Sequence, residues 1–256
     1  MSIQIKNPKS EIRNPKLVSG FSLTEVLLAV GILAVGMLFI ASAFPVSIYF
    51  TTMATERTIA PVVADEAFAK CKIYLNNFDI SALNYNNHKI LEGLLPNEYA
   101  YPSTPSTDPY SKKYWWSAIF RRVDVNDAQV TVFVSRKVGV AGRYYVGSDP
   151  NFDPNRPDAI GVGVSGVTGS YELTFIDPST KPFINDGYTI VDNATGQIYR
   201  VLERYRTNDT VIKLDRVWRP DLTPSLVVSG AVWVVPPPVN GGRYPCIGVY
   251  QKTMRF

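Results

Sequence analysis

Histidine is almost missing from this chain: one residue in 256, His88. Imidazole is the usual general base and the commonest metal ligand. A single copy in an Asn-rich loop, with no cysteine or paired acid close by in sequence, offers no nucleophile–base pair and no zinc set. His88 therefore reads as a solvated loop residue. Cysteine is nearly as scarce. Cys71 and Cys246 stand far apart, so no metal-binding or redox spacing exists. An exported protein can oxidise such a pair, and two separate buried thiols are the other reading. Charge is thin too, at 19% of residues with a net +4. Residues 1–20 hold four bases, Lys6, Lys9, Arg13 and Lys16, against Glu11, so residues 21–256 carry only +1. That balance makes nucleic acid an unlikely partner. The one local basic run, from Arg200 and Arg204 to Arg216 and Arg219, is diluted by Glu203, Asp209, Asp215 and Asp221 and reads as a solvated sheet face. Gly161-x-Gly-x-x-Gly166 matches a dinucleotide fingerprint in letters. A strand-like YELTF follows it where a phosphate-binding helix is needed, so it reads as a flexible loop. With no catalytic motif left, the chain is expected not to be an enzyme and to need no cofactor, calcium excepted (below).

What the sequence does have is a long apolar run. From Val26 to Phe44 there are nineteen residues without a charge. At ~1.5 Å per helical residue they reach roughly 28 Å, close to the ~30 Å hydrocarbon core of a bilayer. Glu25 heads this run, and the basic flank before it should stay on the cytoplasmic side, leaving the rest exported. Ser22-x-x-Glu25 is also a capping box for a helix start. A secretory signal with Ala41-Ser42-Ala43 as its cleavage site is a rival, but the run exceeds the ~7–15 residues of an ordinary signal core and is headed by an acid.

A short basic leader ending in Gly20, then Phe21, then Glu25 five residues into the mature chain, then an apolar helix: this arrangement resembles the type IV prepilins, the class of pilins, minor pilins and type II secretion pseudopilins. The continuation Ile32-Leu-Ala-Val-Gly-Met37 is most like the minor-pilin and pseudopilin subgroup. The likeness covers residues 16–50. It implies cleavage after Gly20 by a prepilin peptidase, N-methylation of Phe21, and assembly with other pilin subunits through the helix. It further implies that Glu25 pairs with the new amine at Phe21, its own or a neighbour's. The implied location is the cytoplasmic membrane, single-pass with the N-terminus inside, followed by a surface or periplasmic filament.

Beyond the membrane segment (21–44), residues 45–78 continue the helix. Tyr49, Met53, Ala60, Val63, Ala67, Cys71, Tyr74 and Phe78 define an apolar stripe for a domain to pack on, while Pro45 and Pro61 should bend or break the ladder. Residues 79–140 read as a polar loop with one helical turn near Ile90–Leu95, then strands at Tyr114–Val123 and Gln129–Val138. Val130, Val132 and Val134 alternate there, so one strand face should be buried and the other only partly. Residues 141–242 read as an inserted β module: a Gly/Pro/Asn/Asp-rich loop over 141–170, then five short strands between Tyr171 and Pro236. A last strand, Ile247–Arg255, lies in the closing segment 243–256. The expected fold is thus α+β: a long transmembrane helix leading into a pilin-type antiparallel sheet, with a small all-β insert.

Two further sites are expected. Asp149, Asn151, Asp153 and Asp158 offer alternating oxygens of the kind Ca²⁺ takes, though without the glycine and glutamate of an EF-hand loop; a turn-rich loop is the alternative. If the last strand joins the sheet that covers the helix, Cys71 and Cys246 come within disulfide range. The functional expectation is a structural subunit, minor pilin or pseudopilin, of a type IV pilus or secretion filament. The alternative is a membrane-tethered module binding polysaccharide, DNA or a secreted substrate without assembling.

Overall fold

The computed structural model describes residues 20–75, 83–104, 108–139, 142–145, 153–220 and 227–256. The chain divides into two compact units, Met1–Thr52 and Met53–Phe256. Helix α1, Leu23–Leu75, contributes to both.

In the first unit α1 is the only element among the described residues. Every residue from Gly20 to Thr51 is exposed. The helix runs on through Pro45 and Pro61, so of the two outcomes expected, a bend or a break, the break occurs at neither proline. Each removes one backbone donor, and the bonds on either side are enough to carry the ladder past it.

In the second unit the buried positions of α1 are Glu56, Ala60, Val63, Ala64, Ala67, Phe68, Cys71 and Leu75. The expected stripe holds from Ala60 to Cys71. Tyr74 at its far end is 37% exposed, and Phe78 lies outside the described residues. This face packs on an antiparallel sheet built from β1 (Lys89–Ile90), β2 (Ala100–Tyr101), β3 (Tyr114–Arg122), β4 (Asp127–Arg136) and β11 (Cys246–Arg255). The order is β1-β3-β4-β11, with β2 also on β3. The expected helical turn near Ile90–Leu95 is absent: residues 89–90 join the sheet and the short helix α2 forms at Pro96–Tyr99, where Pro96 supplies the fixed φ of a first helical residue.

The sheet is buried on both faces, and this corrects the expectation for β4. Val130, Val132 and Val134 join the α1 face together with Trp116, Ala118 and Phe120. Phe133 and Ile119 point the other way, into a cluster with Val191, Val235 and Cys246. Thr131 and Ser135 on that face are fully buried as well. The cover is the inserted module, whose strands fall inside residues 141–242. The strands β5 (Ile160–Val167), β6 (Glu172–Phe175), β7 (Thr189–Asp192), β8 (Ile198–Arg204), β9 (Val211–Leu214) and β10 (Val227–Val234) close into a barrel in the order β10-β5-β6-β9-β8-β7. Every pairing is antiparallel. Its core includes Val162, Val164, Leu173, Ile190, Tyr199, Ile212 and Trp218. At ~1.5–3 kcal/mol per buried large apolar side chain, this cluster is enough for a second, separate core.

The barrel has six strands where five were expected. The missing one is β5, the stretch read as a flexible glycine-rich loop that matches a phosphate fingerprint in letters only. Ile160, Val162 and Val164 are buried and alternate with the outward-facing Gly161 and Gly163, so the period of a strand is present with glycine in the polar places. Gly166 is needed for another reason: a Cβ there would come within 2.7 Å of Leu173 Cδ2, 2.9 Å of the Glu172 carbonyl and 3.1 Å of Trp218 Cε3.

Candidate functional site

At the start of α1, Ser22 is the residue before the first helical turn. Its amide donates to Glu25 Oε2 at 2.9 Å, and its carbonyl accepts from the Val26 amide at 3.1 Å. Ser22 Oγ accepts from the Thr24 amide at 3.3 Å and lies 2.7 Å from Thr24 Oγ1. The Glu25 half of the capping box is therefore formed, while the serine hydroxyl turns one residue short of the usual third-position amide. Gly20 and Phe21 precede the helix in exposed positions, Phe21 at 88%. Behind them Leu27, Leu28, Ile32, Leu38, Phe39 and Ile40 are all more than 60% exposed. A helix this long and apolar is sufficient to cross a membrane, and among the described residues every position from Gly20 to Thr51 is exposed.

In the second unit, an ion cluster ties α1 to the sheet. Glu56, 5% exposed, accepts from Arg136 Nη1, and Arg243 Nη2 lies 3.5 Å from the same carboxylate oxygen. Arg136 Nη2 donates to the Tyr244 carbonyl at 2.7 Å. One guanidinium on β4 thus binds both the helix and the segment returning from the barrel to β11.

His88 is not the solvated loop residue its neighbours in sequence suggest. It is 6% exposed. Its amide lies 3.1 Å from Asn193 Oδ1, and its Nδ1 is 2.7 Å from the Asn193 carbonyl. Asn193 in turn accepts from Trp233 Nε1 at 2.8 Å and donates to Asn87 Oδ1 at 2.9 Å. The joint thus links the loop before β1 to the β7–β8 turn of the barrel. Burial is the main cause that pushes the His88 pKa down to about 4, the Asn193 carbonyl opposing it. No local signal in the sequence announces this, because the burying partner is 105 residues away.

The proposed disulfide is not formed. Both cysteines are free and buried. Cys71 sits in the cluster between α1 and the sheet, and Cys246 in the cluster between the sheet and the barrel. The last strand does join the sheet, as the disulfide argument required, but the register sets Cys246 against Ser135, on the face away from the helix. The sheet itself separates the two thiols. Burial raises Cys71 to about 12 and Cys246 to about 11, so neither is a nucleophile at neutral pH.

Of the proposed calcium ligands, Asp149 and Asn151 lie outside the described residues. Asp153 accepts from the Tyr110 hydroxyl and, through Oδ1, from the Asn155 amide and Nδ2 at 2.9 and 3.0 Å. Asp158 is 3% exposed and faces Arg156 Nη2 at 2.8 Å, with that guanidinium stacked 3.7 Å from the Tyr99 ring centre. Burial raises Asp158 to about 6, Arg156 acting against it. A carboxyl that burial drives toward its neutral form, with a guanidinium already beside it, is a poor calcium ligand. Among the described residues no group of three His, Cys, Asp or Glu side chains is placed to hold a metal.

Arg200, Lys213, Arg216 and Arg219 are exposed on the barrel, as the solvated-face reading expects, and Asp215 lies 3.6 Å from Arg216. No protein-family model, curated protein or solved structure matches this chain.

Proposed function

We propose that this protein is a non-catalytic structural subunit, of minor-pilin or pseudopilin type, that is cut after Gly20 and assembled into a membrane-anchored filament through α1. The observation that carries this reading is the contrast between the two units. The second fills two cores and covers both faces of its sheet, whereas in the first the apolar helix is exposed from Gly20 to Thr51. A bilayer and the helices of neighbouring subunits are the environments in which that surface is at its lowest free energy. Cleavage leaves a positive amine on Phe21, about one turn from Glu25. In an apolar bundle an unpaired charge costs several kcal/mol, and the carboxylate offsets much of it.

Two measurements separate this from a tethered binding module. Mass spectrometry of the protein from cells should find a chain beginning at methylated Phe21; an intact leader or a start at Phe44 removes the filament reading. Glu25→Gln retains a hydrogen-bonding cap and loses the charge, so it should block assembly while export, cleavage and the folded second unit persist. Loss of the cap alone is worth only ~1 kcal/mol, and wild-type assembly by Glu25→Gln would reduce Glu25 to that role.

A further inference from the structure

β11 is bonded to β4 along one edge and to no other strand among the described residues. The ladder fixes which of its backbone groups are free. The Phe256 amide donates to the Asn126 carbonyl at 2.9 Å, one step beyond the Arg255–Asp127 pair in the same register. On the other side of β4, the Val123 amide donates to the Asp127 carbonyl at 2.9 Å, so Asp127 directs its backbone toward β3 and away from Arg255. Because antiparallel pairs alternate between bonded and non-bonded, Met254, Lys252 and Tyr250 spend their amides and carbonyls on β4. Val249, Gln251, Thr253 and Arg255 aim theirs outward. Gln251, Thr253 and Arg255 are exposed.

β11 has a register shift between Cys246 and Gly248; beyond it the ladder is regular to Arg255, and a regular edge is a template for a further strand. Here the side chains also choose the partner. From Cys246 to Phe256 there are two bases, Lys252 and Arg255, and no acid. A second copy of β11 laid antiparallel would bring like charges together, which disfavours pairing. An acidic strand would gain both the backbone ladder and the charge match. The barrel has no comparable place, since its strands close on themselves. We infer that the outer edge of β11 is a docking site for an extended, acidic segment of another protein, which adds to the sheet as a strand beside Gln251–Arg255. This rests on the sheet edge alone and stands whatever α1 assembles with.

The test uses the full chain in detergent micelles and a fluorescein-labelled peptide of alternating glutamate and valine, with a lysine–valine peptide of equal length beside it. Fluorescence anisotropy should show binding of the acidic peptide and not the basic one. Thr253→Pro removes an outward amide that the ladder does not use, and should lower affinity at least tenfold with the thermal melt unchanged. N-methylation of alternate amides on the peptide blocks the same ladder from the other side and does not depend on a variant folding; one of the two methylation registers should abolish binding. Absence of binding, equal binding of both peptides, or insensitivity to both Thr253→Pro and N-methylation overturns the inference. Concentration-dependent dimerisation that Thr253→Pro abolishes would assign the edge to a second copy and overturn the acidic partner.

Discussion

Removing the Glu56 carboxylate should unfold the second unit far more readily than its single side chain suggests. Glu56 and Arg136 are 5% and 7% exposed, so neither charge can recover full hydration in place of its partner. Glu56→Ala leaves Arg136 buried with one carbonyl acceptor, at Tyr244, and with Arg243 no longer held off by an anion between them. Breaking a buried pair from one side costs ~3–5 kcal/mol. For a unit of this size each kcal/mol moves the melting temperature by about 2–4 °C, so the drop should be roughly 6–20 °C. The decisive comparison is the double variant Glu56→Leu with Arg136→Met. If the cost is that of an orphaned charge, replacing both ends by apolar groups should recover most of the loss, because the pair's attraction roughly offsets its desolvation. Circular dichroism melts in detergent, with urea titration as a check, read both. A loss below ~1 kcal/mol in Glu56→Ala would mean that water reaches Arg136, and a double variant no better than the single would mean that shape and not charge is what Glu56 supplies.

Two other outcomes follow from buried groups. His88 has a folded pKa of about 4 against an ordinary value of 6.5, so the fold favours its neutral form. The stability it contributes is complete above pH 6.5 and is lost as pH falls toward 4, by roughly 3 kcal/mol at most. Urea midpoints of wild type and His88→Gln at pH 7, 5.5 and 4.5 should converge as pH falls; a constant gap between them would contradict the burial-driven shift. The cysteines should be silent toward a thiol reagent in the native protein and give two thiols per chain after denaturation without reductant. Fewer than two would restore the disulfide.

Much of this architecture is written in local pattern. The uncharged run from Val26 to Phe44, the Ala60–Val63–Ala67–Cys71 stripe and the alternation of valines in β4 each follow from the period of one element. What escaped was set by contact across long separations. His88 looks solvated until Asn193 arrives from the barrel. Thr131 and Ser135 look like a polar outer face until the barrel covers them. β5 was hidden for a different reason. Its outward positions hold glycine, which local rules read as a breaker, although the inward valines keep the strand period. Of the proposed site residues, Gly20, Phe21 and Glu25 can be named from the sequence because they are nearly contiguous. The Glu56–Arg136 pair spans 80 residues and has no signature except an acid among buried helix positions.

The barrel's first and last strands pair along their full length, with Ile160 opposite Val234. The chain therefore leaves the barrel beside the point where it went in, within the ~4.5–5.5 Å of a cross-strand pair. In connectivity the whole module is a single hairpin loop grown large, which a short turn at 160–234 could replace without rerouting the sheet. In packing it is nothing of the kind, because Ile119, Phe133 and Cys246 would then face water. The barrel is thus replaceable as a connection and indispensable as a cover: it belongs to the minimum that this sheet needs to stay dry.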